Sequence, residues 1–108
     1  MAAKLTLNPS PTFKHTVFIP IPGGDAEPVE FVFKGKSRKE YKTLMDGLAD
    51  AKDKRSEAEK FMAFVDGWDI AADFTAENVT KFLDAYIGAD SLVFSKYTQE
   101  LTKALLGN

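Results

Sequence analysis

From residue 13 the apolar positions alternate, with Phe13, Val17, Ile19 and Ile21 on one side of an extended chain and Lys14 and Thr16 on the other. A period of two places successive side chains on opposite faces of a strand. Pro20 and Pro22 cannot donate ladder hydrogen bonds, so the strand ends there or runs as an edge. Gly23-Gly24-Asp25 is a turn signal inside a loop reaching Pro28. Val29, Phe31 and Phe33 then alternate with Glu30 and Lys34. The pattern predicts a β-hairpin over residues 13–34, with a loop longer than two residues.

The period then becomes helical. Ser37 with Glu40 has the form of a capping box, followed by an apolar stripe of Tyr41, Leu44, Met45, Leu48 and Ala49. Ser56 with Glu59 repeats the signature after a charged connection at residues 50–55. Phe61, Phe64, Val65 and Trp68 fall at i, i+3, i+4 and i+7, so this second helix is expected to run to Trp68. Gly67 would be the residue that leaves it, and Trp68 the packing anchor between the second and third helices. Thr75 is the expected N-cap of a third helix with Val79, Phe82, Leu83 and Tyr86 buried, ended by Gly88. Asp90 or Ser91 would cap the last helix, whose broad face holds Val93, Phe94, Tyr97, Leu101, Ala104 and Leu105 up to Gly107.

A hairpin alone is marginal in water and must be covered by these helices. The expected fold class is therefore α+β, an N-terminal β-hairpin followed by a small bundle of three to four α-helices. It would form a single domain over residues 1–108. An extended arm occupies 1–12, where Asn8-Pro9-Ser10-Pro11 disfavours a packed element; the hairpin spans 13–34 and the helical part 37–107.

Composition narrows the function. Fourteen Lys and Arg against sixteen Asp and Glu give a net charge of −2, which argues against a nucleic-acid-binding module. Nine Phe is a high count at this length, and some of those rings are expected at an interface. Without cysteine there is no disulfide framework or thiolate chemistry. The first residues lack a signal peptide's basic start and apolar run, and no run reaches transmembrane length. A soluble intracellular protein with no membrane partner is expected.

No catalytic, cofactor-binding or metal site emerges. His15 is the only histidine and is read as a partly buried structural residue, with no second ligand for a transition metal. Gly23-Gly24 leads into no helix and cannot cradle a phosphate. Asp66 and Asp69 flank Gly67-Trp68 but read as turn formers. An enzyme is not expected. For protein binding, the candidates are apolar residues off the expected faces, Phe18, Val32, Leu92 and Leu106, and the hairpin's free edges. Arg38 and Lys39 join them. They belong to a basic cluster with Lys34, Lys36 and Lys42 that opposes the helix dipole and suggests an acidic partner surface.

Several stretches, in this order, resemble the tail assembly chaperones of long-tailed bacteriophages. They begin with Leu5-Thr6-Leu7-Asn8-Pro9, Pro11-Thr12-Phe13, the hairpin strand Val17-Phe18-Ile19 with its Pro20-to-Gly24 turn, and Val29-Glu30-Phe31-Val32-Phe33-Lys34. Val65-Asp66-Gly67-Trp68-Asp69, Phe74-Thr75-Ala76-Glu77-Asn78 and Tyr86-Ile87-Gly88-Ala89 complete them. The Gly-Trp segment followed by Phe-Thr-x-Glu-Asn is the most specific part. The resemblance implies a non-enzymatic role in the host bacterial cytoplasm: binding the tape measure protein and keeping it soluble until tail-tube subunits polymerise, with absence from the mature virion. It further implies self-association into a homo-oligomer and a longer frameshifted form that recruits the major tail protein, this chain being the short form. The alternatives are a structural tail component and, less favoured, a small nucleic-acid-binding regulator.

Overall fold

In the computed structural model, which describes Leu7 and residues 11–103, the alternating stretches form two antiparallel strands, β1 (Thr12–Ile19) and β2 (Glu27–Lys34). Their register pairs Phe13 with Phe33, His15 with Phe31 and Val17 with Val29 on one face. Lys14 opposite Val32, Thr16 opposite Glu30 and Phe18 opposite Pro28 make up the other face. The joining loop is tightened by the Gly24 N–H donating to the Ile21 carbonyl at 2.9 Å. Gly23 there has φ 78°, a left-handed backbone that costs glycine nothing in side-chain clashes.

Residues 61–68 do not continue a helix. The second helix, α2 (Glu57–Met62), stops after six residues, and Val65–Trp68 is a third strand, β3, antiparallel to β2. The sheet order is β1-β2-β3, so the expected hairpin is two-thirds of a sheet and the expected helical part is interrupted by a strand. The ladder explains the preference. The Lys34 N–H donates to the Phe64 carbonyl (3.0 Å) and the Asp69 N–H to the Glu30 carbonyl (3.1 Å), so β2 is satisfied on both edges. Val32 faces Gly67 but Phe33 faces Val65, leaving Asp66 as an extra residue in a bulge. That one residue brings Val65 and Trp68, three apart, to the same side of β3. A bulged strand thus reproduces the spacing of a helix.

Gly67 is consequently a strand residue and not a helix exit. Its backbone is not left-handed, and a Cβ there would meet Val32 Cγ2 at an ordinary 3.7 Å. Asp69 is likewise more than a local turn former, since its Oδ1 accepts from the Glu30 N–H at 3.0 Å across the sheet.

The caps fall where the sequence places them, with one exception. Ser37 and Ser56 form complete capping boxes with Glu40 and Glu59 at the starts of α1 (Arg38–Ala49) and α2. The Thr75 hydroxyl accepts from the Asn78 N–H to open α3 (Ala76–Ala85). The exception is α4 (Ala89–Leu101), whose N-cap is Gly88 at φ 88°; Asp90 and Ser91 lie inside its first turn. The N-cap position falls on a left-handed backbone that favours glycine, which has no side-chain oxygen to cap the helix.

The helices cover one face of the sheet. Val17, Ile19, Val29, Phe31, Phe33 and Val65 are buried against Leu44, Ala58, Phe61, Val79, Phe82, Val93 and Tyr97. Tyr97 sits at the centre: its ring is 5.3 Å from Phe33, 5.1 Å from Phe64 and stacked on Phe13 at 6.0 Å. Its hydroxyl donates to the Lys34 carbonyl at 2.8 Å, locking α4 to the end of β2. Of the nine Phe rings only Phe18 is largely exposed, so the interior holds more of them than chain length suggested. Among the described residues no helix is long and apolar enough to cross a membrane.

Candidate functional site

The apolar face of the hairpin outruns the helices that cover it. At the hairpin tip, Ile19, Ile21 and Val29 form one wall of a groove of about 350 Å³. Trp68, Ile70 and Ala72 supply its floor from β3 and the following loop, and Phe82, Ala85 and Tyr86 close it from α3. Trp68 is held by edge-on contacts to Phe74 (5.1 Å) and Phe82 (5.5 Å). Its Nε1 donates to the Ala72 carbonyl at 2.8 Å, so the indole's polar atom is satisfied and its apolar surface faces the groove. Glu27, Asn78 and Lys81 are the polar residues on the rim.

Around Tyr86 the groove adjoins a second depression of about 250 Å³, lined by Ile19, Pro20, Ile87 and Leu92. Ile87 is 96% exposed, the highest value for a large apolar side chain in any described helix or connection between elements. Tyr86 ends α3 as its C-cap and Gly88 turns the chain, so nothing remains to cover the residue between them. Groove, depression and Ile87 together make a partly sheltered apolar surface of the kind that marks binding sites.

The sequence-derived candidates do not converge. Phe18, 62% exposed, and half-buried Val32 share the outer sheet face. They are separated by the Thr16–Glu30 pair, and Lys14 bridges Glu30 at 4.0 Å between them, so no continuous patch forms. Leu92 does not stand free of its helix's buried face: it is half-buried, packs against the core and joins the surface only as a wall of the second depression. Arg38 and Lys39 are exposed in the first turn of α1, at the opposite end of the β-strands from the groove. Leu106 lies outside the described residues. Ile70, Tyr86 and Ile87 were missed as binding residues. The available signal was Ile87 itself, a large apolar residue one step past the α3 stripe and directly before a glycine.

The surface carries little chemistry. Among the described residues no group of three or more His, Cys, Asp or Glu could hold a metal ion. His15 is partly buried, with Nδ1 3.7 Å from Glu100 on α4, a single contact between elements. The basic cluster is partly neutralised locally. Lys42 bridges Asp46 at 2.9 Å, and the Glu40 carboxylate takes the Ser37 N–H at 2.9 Å. That amide, then the Ser37 hydroxyl and the charge of Lys36, hold Glu40 below the usual carboxylate range.

A sequence-family model described as "phage tail assembly chaperone" matches residues 1–108. Comparison with the curated proteins and with the solved structures finds no match.

Proposed function

The chain belongs to the phage tail assembly chaperone family, and from that membership we propose that it binds the tape measure protein and keeps it soluble until tail-tube subunits polymerise around it. The apolar groove under the hairpin tip is the observation that supports this reading. A chaperone of a long client needs an accessible apolar surface that stays partly sheltered, so that it holds its client without aggregating itself. Contacts of this size are individually weak. Many copies along one client would gain avidity from multiplicity.

The proposed site of action is the host bacterial cytoplasm, and the protein would be absent from the finished virion. The reading includes a longer frameshifted form that brings in the major tail protein; a slippery site in an overlapping reading frame at the gene's 3′ end is its test. For the core of the proposal, the test is co-expression with the tape measure protein. Soluble client should increase severalfold and copurify with the chaperone. An unchanged yield with no complex would refute it, and recovery of the chain from purified particles by mass spectrometry would make it a structural component instead.

A further inference from the structure

We propose that two copies of this chain pair through the free edge of β1, antiparallel about a two-fold axis at His15, so that their sheets become one. This goes beyond the chaperone reading and does not depend on which client the protein holds.

The backbone supplies the bonds. β1 is an end strand of the sheet. The Gly35 N–H donates to the Pro11 carbonyl at 2.7 Å, so Pro11 and, by alternation, Phe13, His15, Val17 and Ile19 turn their backbone groups toward β2. Across from Thr12 and Thr16, Lys34 and Glu30 turn theirs away toward β3, where the Lys34 N–H donates to the Phe64 carbonyl and the Glu30 carbonyl accepts from Asp69. Thr12, Lys14, Thr16 and Phe18 therefore aim their N–H and C=O groups outward. Among the described residues no other backbone group meets them. The sheet's opposite edge is blunted, because β3 has only four residues and carries the Asp66 bulge. β1 runs regularly over eight residues, which makes its edge a template for a further strand.

A second β1 fits that template. Pairing about His15 sets Thr12 against Phe18 and Lys14 against Thr16, once from each copy, so every outward group finds its partner. Pro20, the next outward position, has no N–H, so sliding the register toward the tip forfeits donors. The side chains agree with this register. Lys14 falls opposite Thr16 and not opposite another cation, in a row that continues to Glu30, already 4.0 Å from its own Lys14. The same lysine lies diagonal to Phe18, the one largely exposed Phe, and covers its ring with an aliphatic stem and a cation. On the core side Phe13 meets Val17 of the second copy, which joins the two apolar layers. A two-fold contact of this kind closes on itself and leaves only the blunted β3 edges outside.

The chain contains no cysteine, so introduced thiols report the register without background. His15→Cys places two sulfurs across the axis in a narrow pair, about 4.5 Å between Cα atoms, and should form a covalent dimer under mild oxidation. Thr12→Cys puts its two thiols roughly 20 Å apart and should not. Without cross-linking, light scattering should give wild type a mass of twice 11.9 kDa or an even multiple of it. Thr16→Pro removes an outward donor while sparing the bonds to β2, and Phe18→Lys sets a second cation beside Lys14. Each should weaken the pairing about tenfold or more, with far-UV circular dichroism unchanged.

A monomeric wild type at high micromolar concentration overturns the proposal. Unchanged self-affinity in folded Phe18→Lys does the same, and because Phe18 is exposed that variant keeps its core. Thr12→Cys cross-linking as readily as His15→Cys would also refute the register. Co-expression with the tape measure protein is a separate matter: failure there removes the chaperone function and leaves the β1 pairing standing, while a monomer that still solubilises the client does the reverse.

Discussion

Trp68 has two duties that substitution can separate. Its ring packs edge-on against Phe74 and Phe82 while Nε1 donates to the Ala72 carbonyl, and part of its surface remains open to the groove. Trp68→Ala should cost about 3 kcal/mol in chemical denaturation, toward the low end for large aromatic truncations because the side chain is only half-buried. Trp68→Phe, which keeps a ring and loses the donor, should cost about 1 kcal/mol. A cost below about 0.5 kcal/mol for both would remove Trp68 from the packing described above. Two glycines make a similar contrast. At Gly67 a Cβ has ordinary room beside Val32, and Ala stiffens the unfolded chain, so Gly67→Ala should raise stability by up to about 0.5 kcal/mol. At Gly88 the space is open but φ is 88°, so Gly88→Ala should lower it by about 1–2 kcal/mol. Reversed signs in urea melts would contradict both backbone readings.

At the scale of elements, what the sequence made legible was whatever a local rule governs. Both capping boxes, the Thr75 cap, the hairpin alternation and the stripe of α3 appear where spacing and residue chemistry put them, whereas of the expected α1 stripe Tyr41, Leu44 and Leu48 pack on the core and Met45 and Ala49 are exposed. Ser37→Ala and Ser56→Ala should each cost about 1 kcal/mol by loss of a donor's partner at a helix start, measurable by thermal melts. β3 was illegible because its identity depends on β2, more than thirty residues upstream. Phe61, Phe64, Val65 and Trp68 carry a helical period, yet a bulge at Asp66 produces that period from a strand. Only the unpaired edge of β2 decides between the two, and an edge is a tertiary fact. The binding surface was hidden for a related reason. Ile19 and Val29 read as core, and both are core, but the groove opens where they meet Ile70 and Tyr86 from distant parts of the chain.

At the scale of the whole molecule, two groups tie stability to pH, one toward acid and one toward alkali. In the connection from α1 to α2, Arg55 forks onto Asp53 at 2.8–3.2 Å while its N–H donates to the same carboxylate. The Arg55 guanidinium, then its backbone N–H, hold Asp53 down to about 2 from an ordinary 3.8. A depressed carboxyl contributes stability that is fully present above 3.8 and lost as pH falls toward 2. Tyr97 works in the opposite direction. Burial, reinforced by Tyr41 and Glu40, pushes its phenol well above the ordinary 10.0, so the unfolded chain ionises first. Its contribution is complete below that value and drains away as pH rises past it. Melting temperature should therefore be nearly flat between these limits as far as these two groups govern it. Asp53→Asn should lower it at neutral pH and then fall less steeply than wild type in acid. Tyr97→Phe should cost about 1–2 kcal/mol at neutral pH, because the Lys34 carbonyl loses its donor, and should fall less steeply than wild type above pH 10.0. Parallel alkaline limbs for wild type and Tyr97→Phe would show that the ring at the junction of α4 and the sheet does not set the upper limit of stability.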